Sequence, residues 1–587
     1  MAKLDNEAIA RIFEKMSRVL ALKGKNRFRV LAYEKAAQSI RDLDKDLSDI
    51  ARAGRLEEIA GIGKDLAAKI EEALETGHIR QCERECRGFP DSLMVLFDVR
   101  GLGPKTIAML HQRYGINEVD DLQRLLDSGR LKGVRGFAEK KIASLREALQ
   151  SWVASRQRML LGVALPRAEE LLEEIRGIKL VSRAELAGSL RRGRETIGDV
   201  DLLVTSEDSA RALAEISRLP AVNRVVALGP TRATLLLDGM QVDIRAVAPE
   251  SFGAAWQYFT GSKQHNLHLR TLARQHGLKV NEYGVFRGAR RLGGAREDEV
   301  YRLLGMPMMP PEMREDRGEI EAALKGELPQ LVELADIRGD LHVHSTYSDG
   351  RSDLAEMIER AATLGYEYVG LTDHSPSERI ARGLDLRRLQ KKIEEMGKIH
   401  EARGNARPRL LLGTEVNILP DGTLDYPDDV LAGFDVVIAA IHSQFHQGRA
   451  EMTARLLKAL ENPYVNVIAH PMARLIGKRP PIEFDFERIA AAARDTGVAL
   501  EIDGSPWRLD LDDNLARVAQ AARVPLAITS DAHSAAQMTF IRFGVLQARR
   551  GWVQAKLVVN TWPWEKLHRW LNARRPHPAR VALKAAS

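Results

Sequence analysis

The sequence predicts a multidomain α+β and α/β protein whose second half folds as a distorted (β/α)7 barrel, and three observations carry that reading. Gly-x-Gly twice interrupts helical stretches near the N-terminus, at Gly61–Gly63 and Gly101–Gly103. Further on, TLLLDGMQVDIR (Thr234 to Arg245) alternates about Asp238-Gly239 in the pattern of a β-hairpin. Seven short apolar runs then recur between helical stretches: DLHV at Asp340, YVGLT at Tyr368, RLLLG at Arg409, DVVIAA at Asp435, NVIA at Asn466, ALEI at Ala499 and LAIT at Leu526. Alternating strands and helices imply a parallel sheet, and this many imply a barrel. At 587 residues the chain holds three or more domains, each able to bury a core.

The two glycine pairs come first in the chain. Glycine permits a tight hairpin that brings the backbone N–H groups of a helix N-terminus against phosphate without reading bases. Gly61, Gly63 and Lys64 in GIGKDLAAKI, and Gly101, Gly103 and Lys105 in GLGPKTIAML, are the candidate phosphate contacts, and both stretches resemble helix-hairpin-helix motifs. GVRGFAEKKI at Gly133 to Ile142 is a weaker third candidate, with Ala138 where a second glycine is expected. Cys82 and Cys86, the only cysteines, fall with His78 at four-residue spacing on one helix face. A metal site there lacks a fourth ligand, so plain thiols are expected. Two cysteines argue for a reducing compartment and against a disulfide framework.

GSLRRGRETIGDVDLLV (Gly188 to Val204) carries the first centre. Asp199 and Asp201 sit two apart in a strand, so both carboxylates leave one face, and Asp243 on the return strand of the hairpin is aimed at that face. Three carboxylates suit a pair of Mg²⁺ ions, which activate an attacking oxygen, hold a triphosphate and neutralise a departing pyrophosphate. Gly188 and Ser189 open a short helix whose free N–H groups, with Ser189 and Arg192, would grip the phosphates.

This pattern resembles the nucleotidyltransferase superfamily. WQYFTGSKQHNLHLR (Trp256 to Arg270) narrows the likeness to the thumb motif of family X DNA polymerases. The resemblance implies a palm followed by a thumb, with Tyr258 and Phe259 lying against the incoming sugar, Asn266 contacting the incoming base and Arg270 touching the template strand. Gly198, Gly261 and Lys263 join Gly188, Ser189 and Arg192 in the nucleotide-binding set; Lys263 stands where the animal enzymes have an acidic residue. Lys69 matches the lysine that forms a Schiff base with abasic sugar in polymerase beta-like lyase domains, and Tyr33 and Lys35 match neighbouring pocket positions. Asp65 replaces a lysine of that pattern and removes positive charge, so a phosphate-contacting Lys69 stands beside a nucleophilic one.

The second centre is written at the ends of the apolar runs: His342 and His344 in DLHVHS, Asp349 in TYSDG, His374, Glu415, His442, His470, and Asp531 with His533 in SDAH. Barrel active sites gather at the C-terminal ends of strands, where these residues fall. Mixed imidazole and carboxylate ligands fit Mn²⁺, Zn²⁺ or Fe²⁺ better than Mg²⁺. The set resembles the polymerase and histidinol phosphatase (PHP) domain. The likeness implies up to three ions: one on His342, His344, Glu415 and Asp531, a second on Glu415, His442 and His470, a third on Asp349, His374 and His533, together cleaving a phosphate ester. RLDL after Trp507 also matches, whereas EIDGSPW departs from the Asn-containing form expected there.

Together the resemblances span nearly the whole chain in the order of bacterial family X polymerases with a C-terminal PHP domain. They imply a repair polymerase that fills short gaps, as in base excision repair, using gapped or primer-template DNA and deoxynucleoside triphosphates, with 3′-5′ exonuclease activity and abasic-site cleavage close behind. A nuclease led by the barrel and an idle DNA-end-binding scaffold are the alternatives. The expected parts are a lyase-like region at 1–80, a second DNA-binding region at 81–150, the palm at 151–248, the thumb at 249–316, a linker at 317–336 opened by a Pro/Met-rich junction, the barrel domain at 337–575 and a tail at 576–587. The formal charge of +7 lies in residues 1–316, with 52 Lys+Arg against 45 Asp+Glu, while the remainder balances at 36 and 36. A modest excess suits a surface that follows phosphates. Neither a signal-peptide apolar region nor a run near the roughly 18 residues of a membrane span occurs. A monomer in the cytoplasm, without membrane contact, is the expectation.

Overall fold

The computed structural model describes residues 4–576 apart from 5, 42, 44–46, 60, 100, 132, 133, 135, 136 and 157. The chain divides into two compact units, Met1–Gln157 with Arg379–Arg382, and Arg158–Glu378 with Gly383–Ser587. No helix among the described residues is long and apolar enough to cross a membrane.

The first unit is helical and holds two small cores, neither confined to one side of the boundary expected near residue 80: the first takes in Cys82, and the second takes in Val19 and Leu22. Phe13, Met16, Tyr33, Ile40 and Ile70 build the first, and Leu93, Ile107, Leu110, Leu122 and Leu145 the second. Each carries one glycine hairpin. Gly61 and Gly101 have φ of +83° and +90°, values open to glycine but strained for other residues. Gly63 and Gly103 then cap helices Lys64–Thr76 and Pro104–Tyr114 with φ of −95° and −94°, so the two turns share one backbone path. The third candidate's Gly133 and Gly136 lie outside the described residues, as do residues 577–587 of the expected tail.

The second unit opens with a five-stranded sheet in the spatial order Arg183–Leu186, Asp199–Thr205, Met240–Ala246, Arg232–Leu237, Arg224–Leu228. Alternation sorts its faces: Val200, Leu202 and Val204 pack on helices Leu161–Arg176 and Ser209–Ile216, which leaves Asp199 and Asp201 on the opposite face. The hairpin turns at Asp238-Gly239, pairing Leu237 with Met240 and Thr234 with Asp243. Helices Phe252–Thr260 and Lys263–Gln275 follow, then a three-stranded antiparallel sheet. The segment expected as a linker carries helix Glu319–Lys325, whose Ile320 and Ala323 join the thumb core.

Seven parallel strands lie in sequence order, from Gly339–Val343 to Leu526–Thr529, and a bridge from Val343 to Ala532 nearly closes the ring. Leu411, Ile438, Val467, Ala499 and Ala527 pack together, and Leu567 and Leu571 of helix Trp564–Asn572 complete this cluster. Glu415 and Glu501 lie farther along the same strand faces as Leu411 and Ala499, toward the strands' C-terminal ends. The barrel is also fused to the palm: Leu509 and Phe543 belong to the palm core, and a Cβ on Gly162 would come within 2.2 Å of Pro506.

Glu297 ties thumb to palm. Its carboxylate takes two hydrogen bonds from Arg191, at 2.7 and 2.8 Å, and one from Arg314 at 2.6 Å, all within a buried site. Burial would raise the carboxyl pKa, but the two guanidinium groups outweigh it and hold it down at about 2. Glu297→Ala would strand two buried cations and is expected to cost about 3–5 kcal/mol, read as a lower denaturant midpoint. Because the folded pKa is depressed, this carboxylate's contribution is complete above the ordinary value of 4.5 and fades as pH falls toward about 2.

Candidate active sites

The first centre is built where two strands run side by side. Asp199–Thr205 and Met240–Ala246 are parallel, and their register sets Asp201 directly beside Asp243. Gly188 has φ of +63°, and a Cβ there would lie 2.2 Å from Asp201 Oδ2, so only glycine lets this turn lie against the carboxylate. Burial, with the charges of Asp199 and Asp243, pushes the Asp201 carboxyl up to about 7. Asp243 behaves in the opposite way: burial raises its pKa, but Thr234 Oγ1 donates at 2.6 Å, and Arg232 and Gln241 donate at 3.0 Å, which together hold it below the usual range. The donor set is all carboxylate oxygen, and one member stays costly to ionise until a cation arrives. That fits Mg²⁺.

Sequence reasoning misses Thr234, Arg232 and Gln241, although counting outward from Asp238-Gly239 sets Thr234 opposite Asp243. Ser189 is half-buried in the short helix Gly188–Arg191. Arg192 Nε donates to Glu315 at 3.1 Å and its Nη1 to the Thr260 carbonyl at 2.5 Å, so this candidate phosphate ligand is already braced. Gly198 lies under Arg158, whose Nη1 would be 3.2 Å from a Cβ there.

The candidate nucleotide residues of the thumb line the junction of its first two helices. Tyr258 and Phe259 meet edge to face at 5.2 Å, and Arg245 covers Phe259 at 4.5 Å. Asn266 is buried, donating to the Tyr258 carbonyl at 2.7 Å and accepting from Gln257 at 2.8 Å, which sets its amide orientation. Gly261 has φ of +70° and lies beside Arg192; Lys263 is exposed and Arg270 half-buried.

In the first unit, Lys64 and Lys105 are exposed at their hairpins, while Lys69 is buried. Lys69 Nζ lies 2.5 Å from Asp65 Oδ1, so the residue that departs from the lyase pattern engages the lysine directly. Tyr33 is buried nearby in the same core, Lys35 is exposed, and burial pushes the Tyr33 hydroxyl up to about 12. Cys82 is buried and Cys86 half-buried, both as free thiols, and His78 turns to Glu83 at 2.8 Å.

At the barrel mouth all nine candidates converge. Glu415 is the hub: His374 Nδ1 lies 2.9 Å from its Oε2, and His470 and His442 Nε2 lie 3.0 and 3.1 Å from its Oε1. His342 and His344 approach Oε2 at 3.4 and 3.5 Å, and His344 stands 3.2 Å from Asp531. Asp349 lies 3.4 Å from both His374 and His533. Ligand atoms fall into three overlapping groups, His344 with Asp349, His374 and His533; His342 with His344 and Glu415; and His374 with Glu415 and His442. His344 and His374 therefore each stand in two groups, a sharing that the likeness alone does not imply.

The cluster fits metal ions. Nε2 of His342, both ring nitrogens of His344 and both oxygens of Asp349 are buried without a hydrogen bond. Burial, aided by His533 and His374, drives the His344 pKa down to about 4, which leaves its imidazole neutral with a lone pair to give. Burial would raise the Glu415 carboxyl, but the imidazoles of His374, His442 and His342 hold it far below the ordinary range.

Glu501 is the main residue that the sequence reading passes over. Its Oε1 takes His342 Nδ1 at 2.7 Å and the Thr529 hydroxyl at 2.7 Å, and its Oε2 accepts from the His470 amide at 2.6 Å. A carboxylate behind a ligand histidine fixes its tautomer and orientation. The signal was present in ALEID, where Glu501 follows Ala499 on the same face. Asp503, at the departure in EIDGSPW, is fully buried, with Arg508 Nε 3.7 Å from it and 3.8 Å from Asp531.

The chain matches family descriptions of a helix-hairpin-helix domain at residues 4–79, a SAM-like helix-hairpin-helix tandem at 93–151, a DNA polymerase beta thumb at 255–315 and a PHP domain at 340–503. It is 36% identical over 559 residues to the DNA polymerase/3′-5′ exonuclease PolX of Bacillus subtilis (strain 168), covering 94% of this chain and 96% of that protein. A probable phosphatase of Thermoanaerobacter sp. (strain X514) is 29% identical over 238 residues, 38% of this chain and 89% of its own length. DNA polymerase lambda of Rattus norvegicus is 26% identical over 321 residues, 49% of this chain and 53% of that protein.

The raised Asp201 carboxyl sets a pH dependence. A proton competes with the cation for Asp201 below about 7. The Mg²⁺ concentration that half-saturates this centre is therefore expected to fall as pH rises from 6 to 8, by up to about tenfold per unit on the acid side. Titration of Mg²⁺ by calorimetry at each pH checks it.

Proposed function

The chain belongs to the family X DNA polymerases that carry a C-terminal PHP domain, and we propose that it fills short gaps during base excision repair, extending primer 3′-OH ends and trimming 3′ ends in the barrel. The observation that supports this reading is the presence of two side-chain clusters of different chemistry in one unit: carboxylates only on the palm, imidazole with carboxylate at the barrel mouth.

In the palm, Asp199, Asp201 and Asp243 would hold Mg²⁺, which supplies charge neutralisation at the primer oxygen and the leaving pyrophosphate. Thr234, Arg232 and Gln241 anchor Asp243 so that its orientation is set before substrate binds. The Gly188-Ser189 turn and Arg192 bind the triphosphate, and the close approach that Gly188 permits brings the phosphates beside Asp201. Gly198, Gly261 and Lys263 flank that pocket. Tyr258 and Phe259 form the wall met by the sugar, where an added 2′-OH would be excluded. Asn266, braced by Gln257 and the Tyr258 carbonyl, contacts the incoming base, and Arg270 the template strand. Gly61, Gly63, Lys64, Gly101, Gly103 and Lys105 hold DNA through phosphates, so binding is insensitive to sequence.

In the barrel, the nine ligands would hold Mn²⁺, Zn²⁺ or Fe²⁺, which supply an activated water and neutralise the scissile phosphate. Glu501 keeps His342 and the His470 backbone in place, and Arg508 brings a cation to the same mouth. Removal of 3′-terminal nucleotides is the leading reaction there, with abasic-site cleavage as a second use of the same chemistry. The enzyme acts in the cytoplasm on gapped or primer-template DNA.

A labelled one-nucleotide-gap substrate separates the two centres. Asp243→Ala is expected to lower extension by roughly 10³-fold while DNA binding survives. His344→Ala is expected to remove Mn²⁺-dependent 3′-end degradation and leave Mg²⁺-dependent extension intact. Near wild-type extension by the first variant, or undiminished degradation by the second, refutes the assignment of that centre.

Lys69 is tested separately. If it is a nucleophile, borohydride traps the protein on a 5′-sugar-phosphate end and Lys69→Ala removes the adduct without loss of extension. If Lys69 contacts phosphate instead, no adduct forms in the wild type.

A further inference from the structure

Arg550 closes barrel helix Ile541–Arg550 and is almost wholly buried, at 2% exposure. Its Nη1 donates to the backbone carbonyl of Arg192 at 2.8 Å and to Glu315 Oε1 at 3.0 Å, and its Nη2 to Asp513 Oδ2 at 2.7 Å. The same Glu315 oxygen accepts from Arg192 Nε at 3.1 Å. Arg192 Nη1 is spent on the Thr260 carbonyl, and no hydrogen bond among the described residues takes up its Nη2. The turn beyond Arg192 is pressed onto the barrel helix as well, since a Cβ on Gly193 would lie 3.3 Å from that of Leu546.

We propose that Arg550 is a positioning residue for the polymerase centre: by sharing Glu315 it keeps Arg192 available to the incoming triphosphate, so the barrel domain sets nucleotide affinity. The inference rests on the reading of Arg192 as a triphosphate ligand. One carboxylate lies between two guanidinium groups, and its charge is divided between them. Burial would raise the Glu315 carboxyl, but Arg192 and then Arg550 outweigh it, so it is anionic at neutral pH. Without Arg550, Glu315 has Arg192 as its nearest cation and Arg194 only at 3.8 Å. A carboxylate that pairs fully with Arg192 competes with phosphate for the same donors. Asp513 holds Arg550 from the far side and also pairs with Arg317 at 2.9 Å, so the brace is anchored in the barrel.

The test is steady-state filling of a one-nucleotide gap, with Mn²⁺-dependent 3′-end degradation measured on the same preparations. Arg550→Met is expected to raise KM for the deoxynucleotide about tenfold with kcat within about twofold, and to leave degradation unchanged. Arg550→Lys is expected to recover most of the loss. Adding Glu315→Gln to Arg550→Met is expected to lower KM again, because the competing charge is gone. Arg192→Met distinguishes failure of the premise: if it leaves KM unchanged, Arg192 does not bind the triphosphate and the proposal falls with that reading. If Arg192→Met raises KM while Arg550→Met does not, the positioning role alone is wrong. A joint loss of extension and degradation in Arg550→Met that lysine does not restore would show a purely structural residue and overturn the proposal.

Discussion

Like charges held close together before any ion is present are the constraint on which the second unit depends. Asp201 has Asp243 beside it in the strand register and Asp199 two residues away, and burial together with these two charges pushes its carboxyl up to about 7. The nine-ligand cluster solves the same difficulty by alternating imidazole with carboxylate around Glu415. In the palm extended backbone supplies the rigidity, and in the barrel strands carry His342 and Glu415 while the turns that follow the strands carry ligands such as His470 and Asp531. A strand fixes each side chain's face and its neighbour across the ladder, so ligands remain converged even though they repel or crowd one another.

Supporting groups then decide which ligand is ready. Asp243 is clamped by Thr234, Arg232 and Gln241, whereas Asp201 relies on Gly188 leaving room beside it. In the barrel, Glu501 performs for His342 what Thr234 does for Asp243: it occupies one donor or acceptor so that the other side faces the centre.

Arginine–carboxylate pairs join palm, thumb and barrel into one unit. Arg191 and Arg314 converge on Glu297, Arg474 reaches Glu195 at 2.8 Å, Arg542 reaches Glu169 at 3.0 Å, and Arg549 reaches Glu312 at 2.6 Å. The buried pair on Glu297 adds little stability over apolar packing but is costly to break, so it specifies which surfaces meet. Phe543 and Leu509 within the palm core supply the apolar burial that the ion pairs orient.

Much of this was legible in the sequence because it depends on short periods. Alternation placed Asp199 and Asp201 on one face, the Asp-Gly turn set the register that brings Thr234 opposite Asp243, and the seven apolar runs are the seven barrel strands, with the ligand residues at their C-terminal ends. The glycine hairpins were legible too, since Gly61 and Gly101 adopt left-handed backbone that few other residues tolerate. What only the tertiary structure decided are contacts between distant elements: Glu501 behind His342, His344 and His374 each shared between two ligand groups, and Arg550 reaching Arg192 across 358 residues. Periodicity states which face a residue occupies, but not which other element covers that face. That choice is made by packing and by pairing of buried charge, which depend on the whole fold at once.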